Sequence, residues 1–456
     1  MTASATPSPT APRPPGANLG PSLATQLRHT ASCVRAVEQG QSLSDVLPQV
    51  AAELRPGVQA LTFHVLRHLG TARALVDQLV QRKPDAAVQA LLCSALSLML
   101  EDADAGSSSG LHYAAHTVVN QAVDAARQDR GTARQAAFIN ACLRRFLRER
   151  PALMDEALRH PVARWNHPTW WIERLQRDHP GHWQAILTAN NQPGPMTLRV
   201  NRRKVERTAY EQALRAIGVS STPVGDDGLV LDAPQPVERL PGFAHGHCSV
   251  QDAAAQMAAT LLLEGRNWSA ADRVLDACAA PGGKTAHLLE RADIHLLALD
   301  VDARRCERID GTLKRLGLNG ATGVEVRCAD AGQPDTWWDG QAFDAILLDA
   351  PCTASGIVRR HPDVRWLRRA SDVDQLVKVQ RHLLEALWPL LKPGGWLGLM
   401  TKLTDQVTDF ANWHYKNDPT HVSFFADYTF TYLAQRDGFS VNFADKDVVI
   451  LQRIKH

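Results

Sequence analysis

The chain has 456 residues, of which 45% are hydrophobic and 21% charged, a balance typical of soluble globular proteins that excludes disorder over the whole length. At roughly 100 to 200 residues per domain, this length predicts two to four domains. The 50 Lys and Arg nearly balance the 48 Asp and Glu, for a net charge of +2. Any contact with a polyanion is therefore expected from local clusters of cations.

The chain lacks the apolar segments of a membrane or secreted protein. No run approaches the roughly 18 apolar residues that span a bilayer, and no charged segment followed by an apolar one begins the chain. We therefore expect a cytoplasmic protein that does not bind a membrane. The eight cysteines are scattered and form no C-x-x-C pair, so neither a zinc knuckle nor a disulfide framework is predicted.

Four regions follow one another along the chain. Residues 1–23 hold six prolines among small polar residues and predict a disordered leader. Residues 24–150 place apolar side chains at helical spacing, as in the stripe that follows Pro84, and predict an all-α bundle. Residues 151–245 combine Pro-rich joints with a basic strand-like piece and predict a small α+β connecting domain. Residues 246–456 form the last region.

The last region alternates short apolar strands with helices. The strands are predicted at 273–276, 295–300, 323–328, 343–348 and 396–400. Strands that are separated by helices predict a parallel, doubly wound α/β sheet of the Rossmann-like kind. Ligands of such sheets bind beyond the carboxyl ends of the strands.

Two basic clusters precede this region. One ends the helical bundle and the other is the strand-like piece 198–204. Their candidate phosphate contacts are Arg144, Arg145, Arg199, Arg202, Arg203 and Lys204. On its own residues, the first cluster is better explained as a solvated face that complements a helix dipole. The second is equally compatible with an edge strand that its charges protect from aggregation.

A glycine turn follows the first predicted strand of the α/β region. Gly282 and Gly283 permit a tight turn at a helix N-terminus, where free amide groups favour an anionic or carboxylate-bearing ligand. A nucleotide hydrolase is disfavoured, because Cys278 occupies the first glycine of the phosphate-binding motif. A class I methyltransferase needs such a turn and an acid after the second strand. Asp300 stands there, although an acid at that place is as often a helix N-cap.

The third and fourth strands bring further polar groups to the same edge. Asp330 follows the third strand, and the fourth runs into Asp349-Ala-Pro-Cys352. This turn places a carboxylate and a thiol together where a ligand binds, and a structural thiol has no reason to follow it.

With these motifs the chain resembles the Sun/Fmu-type ribosomal RNA cytosine-5 methyltransferases, bacterial enzymes whose N-terminal helical domain is similar to the antitermination factor NusB. The resemblance covers residues from about 25 to 397. It is carried by the stretches 116–123, 138–145, 249–256, 278–285 and 349–366.

The resemblance implies a three-part protein: a NusB-like RNA-binding bundle, the small connecting domain and a methyltransferase domain. The implied substrate is cytosine in small-subunit ribosomal RNA, presented single-stranded or flipped out. The implied cofactor is S-adenosyl-L-methionine, and no metal is expected. The implied cofactor-binding residues are Cys278, Ala279, Ala280, Pro281, Gly282, Gly283, Lys284, Asp300, Asp330 and Asp349. We expect a monomer.

The family uses thiols because C5 of cytosine is a poor nucleophile until a thiolate adds to C6. At an ordinary pKa near 8.5, only about 3% of a thiol is ionised at pH 7. Neighbouring cations increase this fraction, because they stabilise the thiolate and lower the pKa of the thiol. The arginines that follow the Pro-Cys turn are predicted to raise the thiolate fraction and to hold RNA phosphates: Arg359, Arg360, Arg365, Arg368 and Arg369. The alternative is a charged helix surface.

The C-terminal tail, residues 398–456, departs from the family. Family members carry the nucleophile in a Thr-Cys pair after the fifth strand, but Lys402 stands there and no cysteine follows Cys352. Lysine is protonated at neutral pH and is not expected to act. This leaves Cys352 as the catalytic candidate, in the manner of the DNA cytosine-5 methyltransferases.

Two alternatives remain open at this stage. The chain can be a catalytically impaired RNA-binding homologue, or a chimeric methyltransferase whose tail supplies another acceptor site near His414 and Tyr415. His414 and His421 lack the pattern of a metal site. Strands predicted at 440–443 and 448–452 would let the tail complete the sheet.

Overall fold

The computed structural model describes residues 20–100, 113–320, 323–400, 402–403, 424–425, 431, 439–445 and 448–454. The chain divides into two compact units, Met1–Asn166 and His167–His456. Most of the predicted leader, together with His414, Tyr415 and His421, lies outside the described residues, and so does the side chain of Lys402. Within the described part, no helix is long and apolar enough to cross a bilayer.

The first unit is helical, as predicted. Its helices are α1 Leu23–Glu38, α2 Leu43–Val46, α3 Arg55–Leu79, α4 Ala86–Ser97, α5 Ala115–Arg127, α6 Ala136–Ala157 and α7 Pro161–Trp165. The apolar stripes face inwards and bury Leu27, Leu69 and Leu92 completely, which is the main source of helix stability in such bundles. The predicted boundary at residue 150 is corrected, because α6 continues through Pro151 to Ala157.

The second unit begins with a small antiparallel sheet. Helices α8 Thr169–Asp178 and α9 Trp183–Asn190 precede strand β1 Met196–Val200; helix α10 Arg207–Ala216, β2 Ser221–Val224, β3 Gly228–Leu231 and β4 Cys248–Val250 follow. The strand order is β2-β3-β1-β4. β1 lies in the centre of the sheet and pairs antiparallel with β3 and β4. Residues 151–245 were predicted as an α+β domain, and this sheet confirms that fold class.

The large sheet has seven strands in the order β12-β13-β9-β8-β5-β6-β7. These strands are β5 Arg273–Asp276, β6 His295–Asp300, β7 Val324–Cys328, β8 Phe343–Leu348, β9 Leu391–Met400, β12 Phe439–Asp445 and β13 Val448–Arg453. β5 to β9 pair parallel, as the alternation of strands and helices predicts. The tail strands β13 and β12 pair antiparallel at one edge, close to the two predicted strands. A short pair, β10 Lys402–Leu403 and β11 Phe424–Phe425, lies apart.

Helices cover both faces of the large sheet. They are α11 Ala253–Leu263, α12 Gly283–Arg291, α13 Ala303–Leu316 and α15 Ala370–Leu387; the short helix α14 Val364–Leu367 precedes α15. One apolar cluster includes Ile346 and Leu387, and the other includes Leu296 and Ile309. Because both faces are covered, the strands read as continuous apolar runs.

Candidate cofactor and catalytic site

The carboxyl ends of β5, β6, β7 and β8 meet at one edge of the large sheet, and an acid stands at each of them. Asp276 ends β5, Asp300 ends β6, Asp330 follows β7 and Asp349 follows β8. Parallel strands all end on the same side, so the fold brings together four residues that are far apart in sequence.

The loop between β5 and α12 is held against its neighbours through its backbone. The Ala277 amide donates to the Leu347 carbonyl at 3.0 Å, and the Ala279 amide donates to the Leu299 carbonyl at 2.8 Å. Gly282 has φ +94, and a Cβ there would lie 3.1 Å from the Cα of Ile309. Only glycine fits this turn comfortably. Helix α12 starts at Gly283 without a side-chain cap, which leaves amide groups at the turn for a ligand.

Asp276 lies beneath this loop and was not among the predicted site residues. It is fully buried; its Oδ2 accepts a hydrogen bond from the Thr285 hydroxyl at 2.7 Å, and its Oδ1 has no partner among the described residues. Burial raises the pKa of Asp276 to about 7, and the charges of Asp349 and Asp300 add to the shift. The signal that the sequence offered was an acid at the end of the strand that precedes the glycine turn.

Asp300 is held in place at the end of β6. Its carboxylate accepts from the amides of Ala280 at 3.3 Å and of Asp302 at 3.2 Å. It does not cap α13, because Asp302 accepts from the first amides of that helix. The alternative that Asp300 is a helix cap is thereby excluded. Beyond the end of β7, the Asp330 carboxylate accepts a hydrogen bond from the Gly332 amide at 2.9 Å.

Lys284 links the glycine turn to the Pro-Cys turn. Its Nζ lies 2.6 Å from Oδ2 of Asp349. Burial by itself would lower the pKa of Lys284, but the Asp349 carboxylate outweighs this effect and the pKa is raised. Lys284 is therefore a fixed cation at the carboxyl edge, near Cys352 as well as Asp349.

The turn that carries Cys352 is braced from the following helices. Gln380 donates to the Pro351 carbonyl at 2.9 Å, and Arg368 donates to the Thr353 carbonyl at 2.7 Å. Cys352 is exposed at the edge, and the Ala354 amide donates to its Sγ at 3.4 Å. These contacts fix the direction in which the thiol points.

The surroundings of Cys352 favour the neutral thiol in the absence of substrate. The protein around the site excludes enough water to raise the pKa of Cys352 above its ordinary value. The Ala354 amide and the cations Lys284 and Arg368 act in the opposite direction by smaller amounts. Another cysteine at this edge, Cys278, is half-buried, and desolvation raises its pKa to about 12, which makes it unreactive.

Three predicted RNA contacts are wrong. Arg199 is buried within the protein, where its guanidinium forms an ion pair with Glu290. Arg359 is also buried and donates to the carbonyls of Gln192 and Pro193. Arg365 is fully buried and donates to the Asn190 carbonyl. None of the three guanidinium groups is presented to a phosphate, because each satisfies an acceptor inside the second unit.

The other predicted cations are more exposed and remain predictions. Arg360 pairs with Asp252 and keeps 32% of its side chain exposed. Five others of these cations are at least partly exposed, and each has a polar partner: Asn140 for Arg144, Glu149 for Arg145, Asp227 for Arg202, Asp293 for Arg203 and the His245 carbonyl for Lys204. Surface pairs of this kind are weak enough to open for a phosphate.

The site fits S-adenosylmethionine. Gly282 and Gly283 give a backbone cradle that a Cβ at Gly282 would obstruct, Asp300 presents a buried carboxylate suited to ribose hydroxyls, and Asp276 has an orphaned oxygen under the cradle. A positively charged sulfonium ligand suits an edge with four acids. Among the described residues, no group of three His, Cys, Asp or Glu is arranged to hold a metal ion.

Three models of known families match successive parts of the chain. The NusB family matches residues 25–148, the ferredoxin-like domain of RsmF/B-like methyltransferases matches 167–238, and 16S rRNA methyltransferase RsmB/F matches 262–402. The last match ends inside the atypical tail.

Curated relatives share most of this length. The protein named ribosomal RNA small subunit methyltransferase B from Vibrio cholerae serotype O1 is 40% identical over 366 residues, which are 79% of this chain and 81% of the relative. The protein of the same name from Salmonella arizonae is 41% identical over 372 residues, 79% of this chain and 82% of the relative.

Among solved structures, PH0851 superposes with a TM-score of 0.66 at 21% identity and covers 95% of this chain and 98% of its own. A methyltransferase homologue from Pyrococcus horikoshii, with a TM-score of 0.50 at 20% identity, covers 64% of this chain and 97% of its own. These likenesses support the fold. The sequence matches confirm the predicted resemblance: the chain belongs to the 16S rRNA methyltransferase RsmB/F family, whose enzymes use S-adenosylmethionine.

Proposed function

We propose that this chain methylates C5 of a cytosine in small-subunit ribosomal RNA, with Cys352 as the thiol that adds to C6. The observation that carries the proposal is the joining of the two turns: Lys284 of the glycine turn is bonded to Asp349 of the Pro-Cys turn. This bond supports a single site in which cofactor and thiol are neighbours. The names of the curated relatives support the substrate.

The proposed cofactor residues are those of the glycine turn with the acids at the strand ends. Gly282 and Gly283 let the backbone approach the ligand, Asp300 accepts from its hydroxyls, and Asp330 and Asp349 line the same edge. S-adenosylmethionine supplies an electrophilic methyl group when it is bound there. Asp276 lies below and keeps a carboxylate oxygen available for a donor.

Cys352 then carries the covalent chemistry. Its thiolate forms a bond from Sγ to C6 of the base, which moves an electron pair to C5 and makes C5 a nucleophile. Once C5 holds the methyl group, the C5 proton leaves to water, the Sγ–C6 bond breaks and the ring double bond returns. Lys284 and Arg368 stabilise the thiolate during the cycle, because their charges oppose the rise in the pKa of Cys352 that desolvation causes.

Three further proposals concern the compartment, the oligomeric state and the RNA contacts of the protein. We propose that the chain acts in the cytoplasm, where small-subunit RNA is found in the bacteria of the curated relatives. We also propose that it acts as a monomer, because every residue that we assign to the site comes from one chain. The proposed phosphate contacts are the exposed Arg144, Arg202, Arg203 and Lys204 and the partly exposed Arg145 and Arg360.

A second candidate is an RNA-binding homologue that binds the cofactor without turnover. Two observations favour it: no cysteine follows Cys352, and the pKa of Cys352 is raised by desolvation. A methyltransferase with another acceptor near His414 and Tyr415 rests on residues outside the described part of the chain.

Transfer of labelled methyl from S-adenosylmethionine to undermodified small-subunit RNA separates these candidates. Wild type should label the RNA, and Cys352→Ala should lose about a thousandfold or more in rate, because covalent activation is removed. Cys328→Ala is the matched control, since it removes another exposed thiol and should keep the rate. RNA that contains 5-fluorocytosine, which has no C5 proton to lose, should trap a covalent adduct that mass spectrometry locates at Cys352.

The alternatives have different outcomes. An unlabelled RNA with wild type and a gain of label with Lys402→Cys would identify the impaired homologue. A Cys352→Ala variant with the wild-type rate, or label on a small molecule instead of RNA, would contradict the proposed mechanism or substrate, respectively.

A further inference from the structure

Arg199 is a charged side chain that the chemistry described above does not use, yet it lies against the cofactor loop. It belongs to the central strand β1 of the small sheet and is buried. Its Nε and Nη2 donate to the two carboxylate oxygens of Glu290, each at 2.8 Å. Its Nη1 donates to the Gly283 carbonyl at 2.6 Å and also to Oε1 of Gln251.

Both partners on α12 lie on one face of that helix. Gly283 is its first residue and Glu290 lies two turns later, so their side of the helix faces Arg199 as a continuous strip. The planar guanidinium has donors in a fixed fork, which lets it bond a carboxylate in two places and still reach a carbonyl. Arg199 thereby determines where the helix begins relative to the small sheet.

The start of α12 is also the end of the glycine cradle. A shift of the Gly283 peptide moves the backbone that the cofactor contacts. Gln251, which precedes α11, supports the same place, since its Nε2 lies 3.7 Å from the position of a Cβ on Gly283. Strand β1, the segment before α11 and the start of α12 therefore meet at the Gly283 peptide, whose position sets the backbone that a ligand contacts.

We propose that Arg199 is a positioning residue for S-adenosylmethionine: from the small sheet it holds the Gly283 peptide in the place that the cofactor requires. The inference rests on the cofactor site of the proposed function. It makes one strand of the small sheet a support of the cofactor site and gives Arg199, the first cation of the segment 199–204, a role that its charge did not predict.

A second buried ionic contact joins the small sheet to the same helix and provides a matched control. Asp227, which precedes β3, lies 3.2 Å from Nε2 of His287 and 2.6 Å from Nη1 of Arg291. Both partners lie at least one turn beyond Gly283. Asp227→Asn therefore weakens the attachment of α12 without touching the cradle.

The experiment measures the dissociation constant of S-adenosylmethionine by calorimetry, well below the melting temperature of each full-length variant. The informative variant is Arg199→Met combined with Glu290→Met, because loss of one partner alone leaves a buried unpaired charge. Arg199→Lys keeps the charge and loses the fork. We expect the double variant to bind about tenfold or more weakly. Arg199→Lys should be intermediate, and Asp227→Asn should lie within about twofold of wild type, although it melts at a lower temperature.

Kinetics give an independent readout. A positioning role raises the KM for S-adenosylmethionine in the Arg199 variants and leaves the KM for RNA and the kcat at saturating cofactor unchanged. Arg199 has only a structural role if the folded double variant binds the cofactor as tightly as wild type. The same conclusion follows if Asp227→Asn loses as much cofactor affinity as the double variant. If wild type itself shows no binding at millimolar cofactor, the cofactor site of the proposed function fails together with this inference.

Discussion

The acidic edge of the large sheet and the arginine-rich segments of the second unit behave differently. At the edge, Asp276, Asp300 and Asp349 surround the glycine turn, and one oxygen of Asp276 has no partner. In segments 199–204 and 359–365, the arginines bind acids and carbonyls of their own chain.

The difference follows from how each side chain is held. An aspartate at a strand end has a short side chain, so the backbone decides where its charge lies. An arginine has a long side chain that reaches acceptors on other elements. The position of an aspartate at a strand end therefore predicts where its charge lies. The position of an arginine in the sequence does not predict whether its guanidinium is exposed. The following four predictions test this contrast.

The largest effect is expected at Asp276. Its folded pKa of about 7 lies above the ordinary value of 3.8, so the folded protein holds a proton that the unfolded chain loses. Its contribution to stability is fully present below about pH 4 and is lost as the pH rises through 7, by about 4 kcal/mol in total. Asp276→Asn should remove this loss.

Urea unfolding from pH 4 to 8 measures the effect as the difference between wild type and Asp276→Asn. The difference should grow with pH in favour of the variant. A difference in the free energy of unfolding that stays constant across this range would show that Asp276 is ionised in the folded protein. It would contradict the contrast drawn between the strand-end acids and the arginines.

Arg365 should act on stability and not on RNA. It is fully buried and donates to the Asn190 carbonyl at 2.6 Å and to the Asn191 side chain. Arg365→Met leaves those acceptors unsatisfied and should lower the free energy of unfolding by about 2–3 kcal/mol. The salt dependence of RNA binding should stay as in wild type. A shallower dependence would mean that this arginine reaches a phosphate.

Asp300 should act on the cofactor. Asp300→Asn keeps the shape and loses the charge that accepts from hydroxyls, so S-adenosylmethionine should bind about tenfold more weakly, which is about 1.4 kcal/mol. Asp302→Ala is the control, because Asp302 caps α13. This control should cost about 1 kcal/mol of stability and leave the affinity unchanged. Equal losses of affinity in calorimetry would assign Asp300 to structure.

The smallest effect is expected at Arg144. It is exposed and bonded only to Asn140 among the described residues, so Arg144→Gln should change stability by less than about 0.5 kcal/mol. If it contacts a phosphate, the slope of log affinity against log salt should fall by about 1. An unchanged slope in a filter-binding titration would remove Arg144 from the RNA surface.

Much of the fold follows from local patterns. The apolar stripes of α3 and α4 and the alternation of β5 to β9 with helices predicted a helical bundle and a parallel sheet, because side-chain periodicity reports which face is buried. The boundary predicted at residue 150 falls inside a helix, because α6 continues through Pro151 to Ala157.

The site was only partly predictable. Glycines at a turn and acids at strand ends are local features, so the sequence by itself determined where the glycine turn, Asp300, Asp349 and Cys352 stand relative to the strands, and that no cysteine follows Cys352. Tertiary structure alone decided that Arg199 faces Glu290 and Gly283, which are more than 80 residues away. It also decided that Asp276 is buried with one oxygen unpaired. The reason is physical: a residue type sets which interactions a side chain can make, and only the packing of distant elements sets which of them it does make.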